Sequence, residues 1–117
     1  MISIVDDDES VREFTKALVR SLGYSARTFA SAEEFLQSDL DDTNCLILDV
    51  QMTGLSGVEL QARLIADGRQ TPIIFITGFA DERTQDQALR SGAIGFLHKP
   101  VSDEKLIQYI DSALSRC

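Results

Sequence analysis

The sequence predicts an α/β protein: a doubly wound parallel sheet of five strands in the order 2-1-3-4-5, covered on both faces as a three-layer α/β/α sandwich. Three observations predict it. Apolar runs of strand length at residues 2–5, 45–48 and 73–76 alternate with segments patterned at helical spacing. The runs are nearly continuous rather than alternating apolar with polar, which suits strands buried on both faces. Two of them end in acid, at Asp6, Asp7 and Asp8 and again at Asp49, so parallel neighbours would deliver several carboxylates to one edge of the sheet.

After the first strand, Ser10-Val11-Arg12-Glu13 has the form of a capping box. Val11, Phe14, Leu18 and Leu22 then recur at helical spacing, with a stop at Gly23. Residues 24–29 read as a short strand, and Ser31-Ala32-Glu33-Glu34 opens a second helix carrying Phe35 and Leu36. The Asp-rich segment 38–44 reads as a surface loop. The strand ending in Asp49 follows, and the glycines after it demand a sharp turn. Ser56-Gly57-Val58-Glu59 then starts a third helix, with Val58, Ala62 and Ile65 on one face and Gly68 at its end.

Thr71-Pro72 introduces the fourth strand, residues 73–77, with Pro tolerated at a strand start. Gly78 turns the chain out. Asp81 is placed to cap a fourth helix running to about Arg90, stopped at Gly92, whose apolar face amounts to Ala88 and Leu89. A helix that buries so little is loosely held, and such elements are the ones that move. Residues 94–97 form the fifth strand, followed by His98-Lys99-Pro100. Ser102 begins a last helix whose Leu106, Ile107, Ile110 and Leu114 face the core.

At 117 residues, residues 1–117 suffice for one domain and a full core but not for two domains. Hydrophobic residues make up 44% and charged residues 26%, an ordinary globular balance without low-complexity character. No apolar run reaches membrane-spanning length and the N-terminus has a strand pattern, so a cytoplasmic location is expected. A net charge of -8 argues against direct binding of nucleic acid, whose phosphates demand a basic face. Cys45 and Cys117 suggest neither a metal site nor a disulfide framework, and both read as free thiols.

In the flavodoxin-like strand order 2-1-3-4-5 the first and third strands are adjacent, so Asp6, Asp7 and Asp49 meet at their carboxyl ends, where open α/β sheets bind ligands. The fourth and fifth strands bring Thr77 and Lys99 to the same rim. Carboxylates a few Å apart repel by roughly 4 kcal/mol per pair at an effective dielectric near 20, so the cluster wants a cation. Taken singly, Thr77 is a strand end, Lys99 a surface charge and Asp7 a helix cap. Taken together they suit phosphoryl transfer. The acids hold a hard divalent ion such as Mg²⁺ (or Mn²⁺), Asp49 serves as ligand and nucleophile, and Lys99 and Thr77 stabilise phosphate oxygens.

With these residues in place, the chain resembles over its whole length the CheY-like receiver domain of two-component response regulators, nearest to the FixJ type. The family's acidic pair matches Asp6 and Asp7. Its phosphorylated aspartate matches Asp49 in Leu48-Asp49-Val50-Gln51-Met52, its switch hydroxyl Thr77, its lysine Lys99 and its switch aromatic Phe96. The resemblance implies that Asp7, Asp49 and the backbone carbonyl of Gln51 bind Mg²⁺ directly and Asp6 through water, and that Lys99-Pro100 is a cis peptide. It implies a phosphoacceptor signalling domain rather than an enzyme, taking its phosphoryl group from a sensor histidine kinase and taking part in its own dephosphorylation. Thr77 would then shift and Phe96 move inward, reshaping the face of the fourth helix, fifth strand and fifth helix. That face would act on an output domain or downstream protein, or on a second copy of the chain.

Three positions bear on behaviour. Receivers commonly carry Pro where this chain has Thr53, read here as a neutral exchange. His98 is a strand-end residue, and Phe79, two residues after Thr77, could shield the acyl phosphate from water. Two other classes compete. A haloacid-dehalogenase-type phosphatase needs a second acid two residues after its nucleophile, where this chain has Gln51. A phosphate-independent interaction module would not need the full set of Asp6, Asp7, Asp49, Thr77 and Lys99.

Overall fold

The computed structural model describes residues 1–78 and 82–115; Phe79, the Asp81 cap and Cys117 lie outside the described residues. The strands β1 (Ile2–Val5), β2 (Ala26–Phe29), β3 (Cys45–Asp49), β4 (Ile73–Thr77) and β5 (Gly95–His98) form one sheet in the order β2-β1-β3-β4-β5, all neighbours parallel. This is the expected topology. The strands β1, β3 and β4 are buried along their whole length, as continuous apolar runs require when helices cover both faces. One core cluster centres on Val5, Leu46, Leu48 and Phe75, the other on Ile4, Ile47, Ile74 and Leu106. Alternate residues of one strand thus feed opposite layers.

The helices are α1 (Glu9–Ser21), α2 (Ala32–Leu36), α3 (Gly57–Ala66), α4 (Glu82–Arg90) and α5 (Asp103–Leu114). Three begin at the expected residues: Ser31, Ser56 and Ser102 each accept the backbone N–H three residues on, and Ser56 with Glu59 closes a reciprocal capping box. Hydrogen bonds from the Ser56 backbone and hydroxyl hold the Glu59 carboxyl below its ordinary range. The segment 38–44 contains a short 3-10 turn, Leu40–Asp42, capped by Asp39. Cys45 is buried and unpaired, and burial pushes its thiol up to about 12.

Several expectations need correction. The cap of α1 is Asp8, whose carboxylate accepts the N–H groups of Ser10 and Val11, so the Ser10 capping box does not form. A carboxylate outcompetes a hydroxyl there because it also meets the positive end of the helix dipole. The buried residues of α1 are Thr15 and Val19, whereas Phe14 is 52% exposed. In α3 the buried stripe is Gly57, Leu60, Gln61 and Leu64, leaving Ala62 and Ile65 outside. Strand β2 starts at Ala26 rather than Tyr24, and β5 runs one residue later than expected, from Gly95 to His98.

The weakly apolar α4 buries even less than its sequence suggests, since Ala88 is its one buried residue among those described and Leu89 is 40% exposed. A polar contact compensates. Gln61, 2% exposed on α3, donates its Nε2–H to the Ala88 carbonyl at 3.0 Å. That carbonyl also accepts the Ala93 N–H, so Gln61→Leu should cost only about 1 kcal/mol in urea unfolding. Its larger mark should fall on hydrogen exchange in residues 82–90, faster there than elsewhere in the chain. Uniform acceleration, or none, would contradict this role for Gln61.

Candidate functional site

Each acid owes its place to local chain geometry. Asp6 and Asp7 follow the last residue of β1, and Asp49 is the last residue of β3, paired through Val5 and Leu48. Gly57 sets the depth of Asp49. The Gly57 N–H donates to the Val50 carbonyl at 2.9 Å, and a Cβ built on Gly57 would collide with the Asp49 carbonyl oxygen. The third helix can therefore begin directly against the backbone of the strand end.

Asp6, Asp7 and Asp49 each offer a carboxylate oxygen within 4.8 Å of the others. Asp6 and Asp49 are buried, at 2% and 3% exposure, while Asp7 is exposed and forms the open side. Lys99 Nζ reaches in from the end of β5, 3.1 Å from Asp6 Oδ2 and 3.5 Å from Asp49 Oδ2. Burial alone would lower the ammonium's pKa, but the carboxylates of Asp49 and Asp6 outweigh it and hold it above its ordinary value. For Asp49, burial first and the Asp6 charge second raise the pKa from 3.8 to about 7, against the opposing pull of Lys99.

The two buried acids differ in what is left for a ligand. Asp6 Oδ1 accepts the Asp8 N–H at 2.8 Å and Oδ2 faces Lys99, while Arg12 Nη1 donates to the Asp6 carbonyl at 2.8 Å. Both oxygens are therefore engaged. Asp49 Oδ1 accepts the Gln51 N–H at a long 3.4 Å, and its Oδ2 lies 3.5 Å from Lys99 Nζ. The donor set is all oxygen, which suits a hard divalent ion such as Mg²⁺, and a cation would relieve the repulsion that raises the Asp49 pKa. The residues present fit the metal.

Thr77, at the end of β4, is fully buried, and its carbonyl accepts the Lys99 N–H at 2.7 Å. The Lys99-Pro100 bond is cis, as the resemblance implied. Phe96 is 8% exposed, its ring 5.8 Å from that of Phe75. His98 ends β5, exposed, with its ring 5.9 Å from that of Phe96. Sequence reasoning missed Arg12 and the spacing role of Gly57; the glycine after a strand-ending acid and a helix cap was the signal available for the latter.

Sheet order and rim together define a flavodoxin-like α/β domain with a cluster of three acids at its carboxyl edge that could hold a metal ion. The chain belongs to the response regulator receiver family: the family model described as "Response regulator receiver domain" matches residues 2–111. It is 41% identical over 117 residues to "Nodulation protein W" of Bradyrhizobium diazoefficiens, covering 99% of this chain and 52% of that protein. It is 35% identical over 116 residues to "Transcriptional regulatory protein FixJ" of Azorhizobium caulinodans, covering 98% of this chain and 55% of that protein. The crystal structure of FixJ-N superposes with a TM-score of 0.89 at 34% identity, covering 99% of this chain and 94% of that one. The chain spans about half the length of the curated relatives it matches. The phosphatase alternative is set aside by this membership as well as by Gln51. Among the described residues no helix is long and apolar enough to cross a membrane.

Proposed function

We propose that this receiver domain accepts a phosphoryl group on Asp49 from a phosphohistidine of a sensor histidine kinase. The observation that carries the reading is the convergence of Asp6, Asp7 and Asp49 within 4.8 Å beside the Lys99 ammonium. An Asp49 carboxylate oxygen forms the new bond to phosphorus as the bond to the imidazole nitrogen breaks, and that nitrogen keeps the electron pair and takes a proton. Lys99, already against Asp49, offsets charge on the incoming oxygens, and Thr77 supplies a hydroxyl to one of them. Asp7, Asp49 and the Gln51 carbonyl would hold Mg²⁺, with Asp6 acting through water. When bound, the ion neutralises phosphoryl charge and assists both phosphorylation and its hydrolytic reversal.

Binding of the phosphoryl oxygens would draw Thr77 toward them and bias the packing of Phe96 and α4, a local charge event acting on a two-state element. The thin packing of α4 and its single buried residue support this role. The reshaped face of α4, β5 and α5 would act on an output domain, a downstream protein or a second copy of the chain, in the cytoplasm. The domain works as one unit over residues 1–117, without contacting nucleic acid or membrane itself.

Beryllofluoride, a mimic of the phosphoryl group, tests the site directly. Calorimetry should show binding only when Mg²⁺ is present, and Mg²⁺ at a hundredfold its Kd should stabilise the fold by about 2.7 kcal/mol. Binding of neither would favour a phosphate-independent module. Phe79 is proposed to shield the acyl phosphate, so Phe79→Ala should shorten the phosphorylated lifetime; an unchanged decay rate removes that role.

A further inference from the structure

The loop between β3 and α3 carries the Gln51 carbonyl, so the cation site is only as well placed as that loop. Residues 50–56 contain no helix or strand, and Gly54 sits at φ +83°. Acids from two other elements hold this segment. Asp7 Oδ2 lies 3.4 Å from the Thr53 N–H, a donor that Pro at this position would lack. Glu33, in the first turn of α2, accepts the Leu55 N–H on Oε2 at 3.3 Å.

The same Glu33 oxygen occupies the space that a side chain on Gly54 would need. A methyl group built there would lie 2.5 Å from Oε2. The left-handed glycine and the glutamate therefore fit one another, and Ser31 caps α2 at the right point to aim Glu33 across the gap. Glu33 is not one of the clustered carboxylates, and phosphoryl transfer gives it no task. Its bond to the Leu55 N–H is the role the structure shows for it.

We infer that Glu33 is a positioning residue that fastens the β3–α3 loop to α2 and so presets the Gln51 carbonyl for the divalent ion. The inference rests on the metal-binding reading of this site. Interactions behind a metal's direct ligands commonly tune its affinity by fixing where those ligands point. Here the outer contact acts on a backbone ligand through its loop.

The test is a Mg²⁺ titration of the ¹⁵N-labelled chain by NMR, for wild type, Glu33→Ala and Glu33→Gln, at a physiological salt level that screens distant charges. Glu33→Ala should weaken Mg²⁺ binding about fivefold, roughly 1 kcal/mol at 1.4 kcal/mol per tenfold, and should shift the Leu55 amide resonance before any Mg²⁺ is added. Glu33→Gln keeps an acceptor oxygen and should restore both. Equal weakening in the two variants would trace the effect to charge and overturn the inference. So would unchanged affinity in both, with or without a loss of thermal stability. A wild-type chain that binds no Mg²⁺ would overturn the metal reading itself, and this inference with it.

Discussion

Asp49→Asn is expected to take up no phosphoryl group from a small-molecule phosphodonor and, at pH 8 without divalent ions, to be more stable than the wild type. The first effect follows from removing the nucleophile. The second follows from the burial and the Asp6 charge that raise the Asp49 pKa from 3.8 to about 7. A folded-state pKa above the unfolded value means that the folded chain binds the extra proton, so stability falls as pH rises through the window from about 4 to about 7. At 1.36 kcal/mol per pKa unit the full cost at pH 8 is at most about 4 kcal/mol. Asn removes that cost and also one partner of Lys99, which retains Asp6 at 3.1 Å. A net gain on the order of 2 kcal/mol is expected at pH 8, shrinking toward zero near pH 4. Urea unfolding across this range with a chelator present checks it. Acid-labile phosphate in the variant would contradict the assignment of Asp49, and a stability difference that ignores pH would contradict the account of its burial.

Gly57→Ala is expected to damage stability and phosphorylation together, although the substitution favours helix formation elsewhere. The added Cβ would collide with the Asp49 carbonyl oxygen and come within 3.0 Å of Val50 Cα. Both neighbours are backbone, and the sheet pins them: the Val50 N–H donates to the Ile76 carbonyl at 3.1 Å. Neither can yield as a side chain would, so α3 must lift or the end of β3 must move. Overpacking of this kind costs about 2 kcal/mol or more. A displaced Asp49 no longer lines up with Lys99 and the other acids, and misplacement by about 1 Å can cost as much as a hundredfold in rate. Unfolding curves should show the destabilisation, and the initial rate of phosphorylation, measured where the variant is still folded, should fall at least about tenfold. A variant with wild-type stability would show that α3 relaxes freely, and one with a wild-type rate that Asp49 does not depend on this contact.

The sequence by itself determined the sheet and its rim. Unbroken apolar runs have one stable use in a chain of alternating strands and helices, and a strand that ends in acid carries its carboxylate to the sheet's edge wherever the strand goes. Asp6, Asp49, Thr77 and Lys99 could be placed together for that reason, before any coordinate. Three-dimensional packing decided the rest. Helical spacing gives a period but not its phase, and the phase depends on which neighbour covers the helix. Phe14, Ile65 and Leu89 therefore face outward while Thr15 and Gln61 are buried. Competition among caps is equally a matter of geometry: Asp8 displaced Ser10 because its carboxylate reached the N–H groups of Ser10 and Val11. The contact of Glu33 with Leu55 joins two elements across 22 positions of sequence. Such contacts carry no local signal, because van der Waals exclusion and hydrogen bonding act only once folding has brought the partners within reach.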